Sequence, residues 1–164
     1  ADRCLNNLGR IEKEYEKLSA FKNYKDNITL DDVEIFVSPS MEDKVFAIAE
    51  NLATGKYAKA FEITEGLIKI YNEKPYFVMA AVTSQYKRML HIALNAEKSD
   101  FELAKILSVK EFAVKKSRSL SAKYTQKKLK SIFDRLTQAE YEFKSGQSGE
   151  LNALYQCLLY ICFV

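Results

Sequence analysis

Apolar side chains recur along this chain at steps of three and four residues, with polar side chains between them. This spacing places the apolar side chains on one face of a helix, and it is not the alternation of a strand. The stripes predict helices at residues 2–21, just after Thr29, at 41–53, 57–71, 75–98, 101–107 and 110–120, after Thr125, and from 150 onward.

Residues that cap helices stand where the stripes begin and end. Ser99 with Glu102 matches a capping box, and Thr29 with Asp32 approximates one; in this motif each side chain bonds the other residue's backbone amide. Gly55 suits the left-handed residue that ends a helix. The five Gly and two Pro of the chain are too few for the many tight turns of a sheet protein. The sequence therefore predicts an all-α fold.

The segment Ser38-Pro39-Ser40 is the clearest boundary in the chain. Proline disfavours helix at the residue before it. Ser40 is suited to cap the helix that follows, and Glu42 and Asp43 suit its first turn. We therefore expect two parts, residues 1–38 and residues 39–164, of which the second is an independent helical bundle.

The final helix, from Glu150 onward, differs from the others because it is apolar on more than one side. One face carries Leu151, Leu154, Tyr155, Leu158 and Cys162, and the other sides carry Ala153, Cys157, Leu159, Tyr160 and Phe163. A helix that is apolar all round has to be covered on all sides. One side is expected to meet the protein's own core, and the other requires a partner or a further part of the chain.

Length, composition and cysteine count narrow the class of protein. The 164 residues, 48% of them hydrophobic, fit one ordinary domain or one domain with a piece of a neighbour. No apolar run approaches the roughly 20 residues of a membrane span. Three cysteines without a C-x-x-C motif are read as reduced thiols, so a cytoplasmic protein is expected. The start at Ala1, already in helical rhythm and without Met, suggests a fragment of a longer chain.

Basic residues concentrate in two adjacent predicted helices, although the whole chain has a formal net charge of only +3. The cluster consists of Lys110, Lys115, Lys116, Arg118, Lys123, Lys127, Lys128 and Lys130, with Glu111 as its only acidic member. Such a cluster attracts phosphates, and Lys115, Lys116 and Arg118 are its candidate phosphate contacts. A solvated surface is the alternative interpretation, and the single aromatic in the charged centre, Tyr124, is poor support for base stacking.

No residue pattern in the chain indicates catalysis, a metal or a cofactor. The segment Thr54-Gly55-Lys56 lacks the first glycine and the Ser or Thr of a phosphate-binding loop. The only histidine, His91, has no nucleophile placed near it by the sequence, and a partly buried or surface position on a helix explains it. A small helical enzyme therefore ranks last among the functions considered.

Several short motifs, taken in order, resemble the delta subunit of the bacterial DNA polymerase III clamp loader. They are ITLDDVE at 28–34, VSPSMED at 37–43, FAIAE at 46–50, GKYAKA at 55–60, LSVKEFAVKK at 107–116 and AEYEFKSG at 139–146. The resemblance covers nearly the whole chain, and the order and spacing of the motifs are more specific than any one of them. In the fifth motif Glu111 stands where proline is common in the family.

The resemblance implies a non-catalytic subunit of a bacterial, cytoplasmic replication machine, without a cofactor of its own. Residues 1–38 would be the end of an AAA+-like helical lid, and residues 39–164 a helical collar that joins the ATPase subunit and a delta-prime-like subunit. Contact with the sliding clamp would belong to an amino-terminal domain that this chain lacks.

The resemblance also implies a role for the final helix. Tyr155, Leu159, Tyr160 and Phe163 are predicted to form a subunit contact of the collar. Two alternatives remain open at this point: a further part of the chain covers this face, or the domain binds nucleic acid through the basic cluster at 110–130.

Overall fold

A computed structural model describes residues 8–37 and 39–164 of the chain. These residues contain nine helices and no strand, which confirms the predicted all-α class. The helices are α1 Leu8–Phe21, α2 Leu30–Phe36, α3 Met41–Ala53, α4 Tyr57–Lys69, α5 Pro75–Leu94, α6 Asp100–Leu107, α7 Glu111–Ser121, α8 Gln126–Lys144 and α9 Glu150–Phe163. The beginning of the first predicted helix, Cys4 and Ser38 lie outside the described residues.

The chain divides into two compact units, Ala1–Lys44 and Val45–Val164. In the first unit, Leu18 of α1 and Val37 form a small buried cluster against which Ile11, Ile28 and Val33 pack. The Asp32 carboxylate accepts hydrogen bonds from the Thr29 amide at 2.7 Å and pairs with Lys22 at 2.9 Å. The Thr29 amide, followed by Lys22, lowers the pKa of Asp32 to about 2. The start of α2 is therefore tied to the end of α1.

In the second unit α5 is the central helix and packs against α7, α8 and α9. Its buried side chains cover about half of its circumference, so more than one helix is needed to shield them from water. These side chains are Val78, Met79, Val82, Thr83, Gln85, Tyr86, Met89 and Ile92. In α3 the buried side chains are Val45, Ile48, Ala49 and Leu52.

Two polar contacts cross this core. The Gln85 amide nitrogen donates to the Ser117 hydroxyl of α7 at 3.3 Å, and both residues are buried. The hydroxyls of Tyr86 and Tyr124 share a hydrogen bond at 3.1 Å, and their rings meet edge to face. Burial raises the pKa of Tyr86 well above its ordinary value, so the phenol stays neutral. Each contact gives a polar group of the core a partner, which avoids the cost of burying it alone.

Two helices end earlier than the periodicity predicts. The helix predicted to reach Lys98 ends at Leu94, where Asn95 donates its side-chain amide to the His91 carbonyl at 2.9 Å. The guanidinium of Arg118 then binds the carbonyls of Ala96 and Lys98. The helix predicted to reach Tyr71 ends at Lys69.

The predicted caps are present. Thr29 with Asp32 and Ser99 with Glu102 form complete capping boxes, and Ser40 accepts from the Asp43 amide at 3.0 Å. Gly55 has φ +73°, so it adopts the left-handed conformation that glycine tolerates best.

Replacing Ser99 with Ala should lower the free energy of unfolding by about 1 kcal/mol, because the Glu102 amide loses its acceptor at the start of α6. Urea unfolding followed by circular dichroism measures the change. The matched control is Ser119→Ala at an exposed position inside α7, where Ala is the better helix former and no loss is expected. Equal stability of the two variants would contradict the assigned cap.

Candidate functional site

The last two helices form an antiparallel hairpin, because contacts run from the start of α8 to the end of α9 and back. Ser131 meets Tyr160, with 2.7 Å between the hydroxyl oxygens, and one turn further along Arg135 donates to the Gln156 side-chain oxygen at 3.1 Å. Arg135 also pairs with Glu142 of its own helix at 3.2 Å. These polar contacts place the Tyr160 and Gln156 side chains of α9 next to α8.

The buried side of α9 differs from the predicted face. Ala153 and Cys157, which the periodicity assigned to other sides, are buried, and Leu151 is 48% exposed. Leu154 and Leu158 are buried as predicted, and Ile161 joins them. The reason is that α9 packs against both α5 and α8, whose positions the apolar pattern of α9 alone does not reveal.

The four predicted contact residues of α9 separate into two pairs. Tyr155 is half-buried, and its ring stacks on Phe61 of α4 with centroids 5.9 Å apart. Tyr160 is also half-buried and is bonded to Ser131. Leu159 is 48% exposed and Phe163 is 85% exposed. Only the second pair is therefore directed mainly at solvent, while the first pair holds α9 to its neighbours.

The outward side of α9 changes character along its length. Asn152 and Gln156 make the first half polar, and Leu159 and Phe163 make the second half apolar. An exposed apolar surface of this kind is characteristic of interaction sites when it is contiguous and has a polar rim. We call the apolar half, Leu159 and Phe163, the α9 patch.

The α9 patch has an aromatic neighbourhood on the α4 side. Burial raises the pKa of Tyr124, its hydrogen bond to Tyr86 opposes the rise, and the nearby Tyr57 phenol and Cys162 thiol add to it. Tyr57, the first residue of α4, is 40% exposed. The stacking of Tyr155 on Phe61 gives this side of α9 its aromatic character.

The α8 side of the α9 patch is basic. Lys127 and Lys128 are exposed in the first turn of α8, four and three residues before Ser131, respectively. Since Ser131 contacts Tyr160, the antiparallel hairpin places these lysines beside the last turn of α9. Sequence reasoning did not connect them with α9. The sequence did contain one signal: the first turn of α8 has two lysines and no acidic residue. Acidic residues are the ones that stabilise the start of a helix.

The three candidate phosphate contacts, Lys115, Lys116 and Arg118, have different surroundings in the structure. Arg118 is half-buried and its guanidinium is engaged within the protein: it binds Asp100 at 2.7 Å, the Lys98 carbonyl at 2.7 Å and the Ala96 carbonyl at 3.2 Å. Lys116 is half-buried with its ammonium group 4.0 Å from the centre of the Phe46 ring, and Lys115 is exposed on α7. Elsewhere in the cluster, Lys130 pairs with Asp134 at 2.6 Å.

Two further side chains of chemical interest are His91 and Cys157. His91 is exposed, and burial raises the pKa of the Cys157 thiol to about 11. Within residues 8–37 and 39–164, no group of three or more His, Cys, Asp or Glu side chains is arranged to hold a metal ion. No helix among these residues is both long and apolar enough to cross a bilayer.

Comparison with known proteins gives three matches. The family model for the DNA polymerase III delta subunit, C-terminal domain, matches residues 42–161. The curated DNA polymerase III subunit delta of Bacillus subtilis (strain 168) is 29% identical over 154 residues, which are 93% of this chain and 44% of the relative. A solved structure of the Bacillus subtilis DNA clamp loader delta protein has a TM-score of 0.89 at 28% identity and covers 96% of this chain. The chain covers 47% of that structure, so it spans less than half of each protein it matches.

Replacing Arg118 with Ala should lower the free energy of unfolding by about 1–3 kcal/mol, because two backbone carbonyls and Asp100 lose a charged donor. Its neighbour Lys115, exposed on the same helix, is the matched control, and Lys115→Ala should change stability by less than about 0.5 kcal/mol. Urea unfolding of both variants tests the division of the basic cluster into structural and solvent-exposed members. Similar small effects in both variants would argue against it.

Proposed function

This chain belongs to the DNA polymerase III delta subunit family, and from that premise we propose that it is a non-catalytic part of a bacterial clamp loader. Its task in this proposal is to hold loader subunits together. The observation that carries the proposal is the α9 patch, where Leu159 and Phe163 are exposed on a helix whose opposite side is part of the core. Burying a large apolar side chain contributes about 1.5–3 kcal/mol, so a partner that covers both gains substantially.

The proposal assigns separate tasks to the two parts of the chain. Residues 39–164 are the collar that joins the ATPase subunit and a delta-prime-like subunit, and residues 1–38 are the end of an AAA+-like lid. Contact with the sliding clamp is assigned to the amino-terminal part of the family's proteins, outside the region matched here. We place the assembly in the bacterial cytoplasm, in agreement with the reading of the cysteines as reduced thiols.

Each of the four predicted contact residues keeps a part in this proposal. Leu159 and Phe163 meet the partner directly. Tyr155 and Tyr160 set the orientation of α9 through Phe61 and Ser131. A charged residue at Tyr160 would disturb the hairpin itself, so it is a poor test of partner contact.

A second candidate function is nucleic-acid contact through the basic cluster. The observation in its favour is that Lys123, Lys127 and Lys128 are all exposed around the start of α8. Tyr124 is half-buried and bonded to Tyr86, so it is not offered for stacking on a base. Contact of this kind would therefore rest on phosphate charge alone.

Replacing Leu159 and Phe163 together with Glu should abolish assembly, because the partner would have to bury two carboxylates where it now meets apolar groups. Size-exclusion chromatography with the purified ATPase subunit and delta-prime-like subunit, without clamp or DNA, measures co-elution. Circular dichroism of the variant should match the parent, since both side chains point outward. The double variant Ile70→Glu and Ile106→Glu is the matched control, because these apolar residues are exposed at the end of α4 and on α6, outside the hairpin of α8 and α9. Co-elution of the α9 variant, or none by the parent chain, would refute the proposal.

Neutralising Lys123, Lys127 and Lys128 with Gln tests the second candidate without disturbing the contacts of Arg118 with Asp100 and the backbone. Fluorescence anisotropy with labelled duplex DNA should then show either no binding by the parent chain or binding that weakens with salt and disappears in the triple variant. Binding that persists in the triple variant would exclude this surface as the site.

A further inference from the structure

We infer that the partner surface covering the α9 patch carries acidic side chains that pair with Lys127 and Lys128. This inference rests on the proposed assembly function and specifies the chemistry of the partner. The occupant it commits to is a protein surface, apolar in its centre with carboxylates on one flank.

The first step is the position of the two lysines relative to the patch. Tyr160 of α9 and Ser131 of α8 are in contact, with 2.7 Å between their hydroxyl oxygens. One helical turn, about 5.4 Å, separates Ser131 from the lysines and Tyr160 from the end of α9. Because the helices are antiparallel, both turns lead to the same end of the hairpin. Lys127 and Lys128 are therefore the α8 rim of the surface that exposes Phe163.

The second step is the electrostatic cost of this rim. At α2, α3, α6, α7 and α9 the first turn carries at least one carboxylate, which complements the positive end of a helix, whereas at α1, α4 and α5 it carries none. The first turn of α8 carries no acid and instead has Lys127 and Lys128. The two lysine ammonium groups repel each other, and the positive end of the helix dipole repels both of them. A carboxylate from a partner would relieve both repulsions.

The third step is that the carboxylates of this region do not supply the missing charge. Within the described residues neither Lys127 nor Lys128 takes part in an ion pair. The acid nearest in sequence, Asp134, pairs with Lys130 at 2.6 Å. On the α4 side Glu62 and Glu65 pair with Lys59 and Lys69. The α8 rim therefore keeps an uncompensated positive charge.

The fourth step is the choice of a protein over a nucleic acid as the occupant. On α9, Leu159 and Phe163 lie between the side that meets α8 and the side that meets α4. A partner that covers both sides therefore desolvates them. A phosphate backbone offers charge to the lysines but no apolar surface for these two side chains. A protein interface combines an apolar centre with a charged rim, and complementary rim charges set its orientation and association rate.

Charge reversal at the rim should weaken binding by about tenfold or more, since two attractive contacts become repulsive. The double variant Lys127→Glu and Lys128→Glu is compared with Lys87→Glu and Lys115→Glu, which change the net charge equally at exposed sites on α5 and α7. Surface plasmon resonance with the purified ATPase subunit and delta-prime-like subunit gives the Kd of the parent chain and of each double variant. The parent's affinity should fall with rising salt, and the rim variant's should not. Equal Kd values for the rim variant and the control variant overturn the inference.

Carbodiimide cross-linking, which joins a lysine amine to a carboxylate in contact with loss of water, gives an independent readout. Peptides that link Lys127 or Lys128 to an Asp or Glu of a loader subunit support the inference. A cross-linked complex in which neither lysine is joined to the partner overturns it.

The outcomes separate this inference from the proposed function. If the parent chain binds no loader subunit, the proposed function fails and the inference fails with it. If the Leu159 and Phe163 variant loses binding while the rim variant behaves like the control variant, the proposed function stands and only the inference is refuted. If the rim variant loses affinity for duplex DNA but keeps its affinity for the subunits, the rim serves nucleic acid, and the inference is again refuted.

Discussion

The arrangement of residues 45–164 depends on the burial of α5. The side chains of Val78, Met79, Tyr86 and Met89 have no measurable exposure, although they point in several directions from one helix. No single neighbouring helix can cover so wide an apolar arc. The chain meets this requirement by packing α7, α8 and α9 around α5, and the contacts of Gln85 with Ser117 and of Tyr86 with Tyr124 fix the register on the α7 side.

The candidate interface is a consequence of this packing. Because α8 and α9 form a hairpin and both lie against α5, one side of α9 is directed at solvent. Tyr155 and Tyr160 are held by Phe61 and Ser131, so the exposed apolar groups are those at the end of the helix. These contacts hold α9 in one orientation, and a surface that is formed before a partner arrives lowers the entropic cost of binding.

Basic residues that form one cluster in the sequence have different tasks in the structure. Arg118 stabilises the turn between α5 and α6, and Lys116 lies over an aromatic ring. Lys127 and Lys128 are exposed beside α9. Glu111, which stands where the family often has proline, is the first residue of α7. Either residue suits that position, since its amide has no acceptor within the helix and a carboxylate there complements the helix dipole.

The sequence by itself determined the all-α class, the presence of the helices and most of their ends, because local periodicity and capping chemistry act within a few residues. It also carried enough ordered motifs to indicate the family, which the comparisons confirm. Tertiary structure alone decided which side of α9 is buried, because a helix with apolar residues on several sides has no single preferred face. It also decided that Arg118 binds Asp100 and the Lys98 carbonyl, and that the start of α8 meets the end of α9, because these contacts join groups many residues apart in the chain.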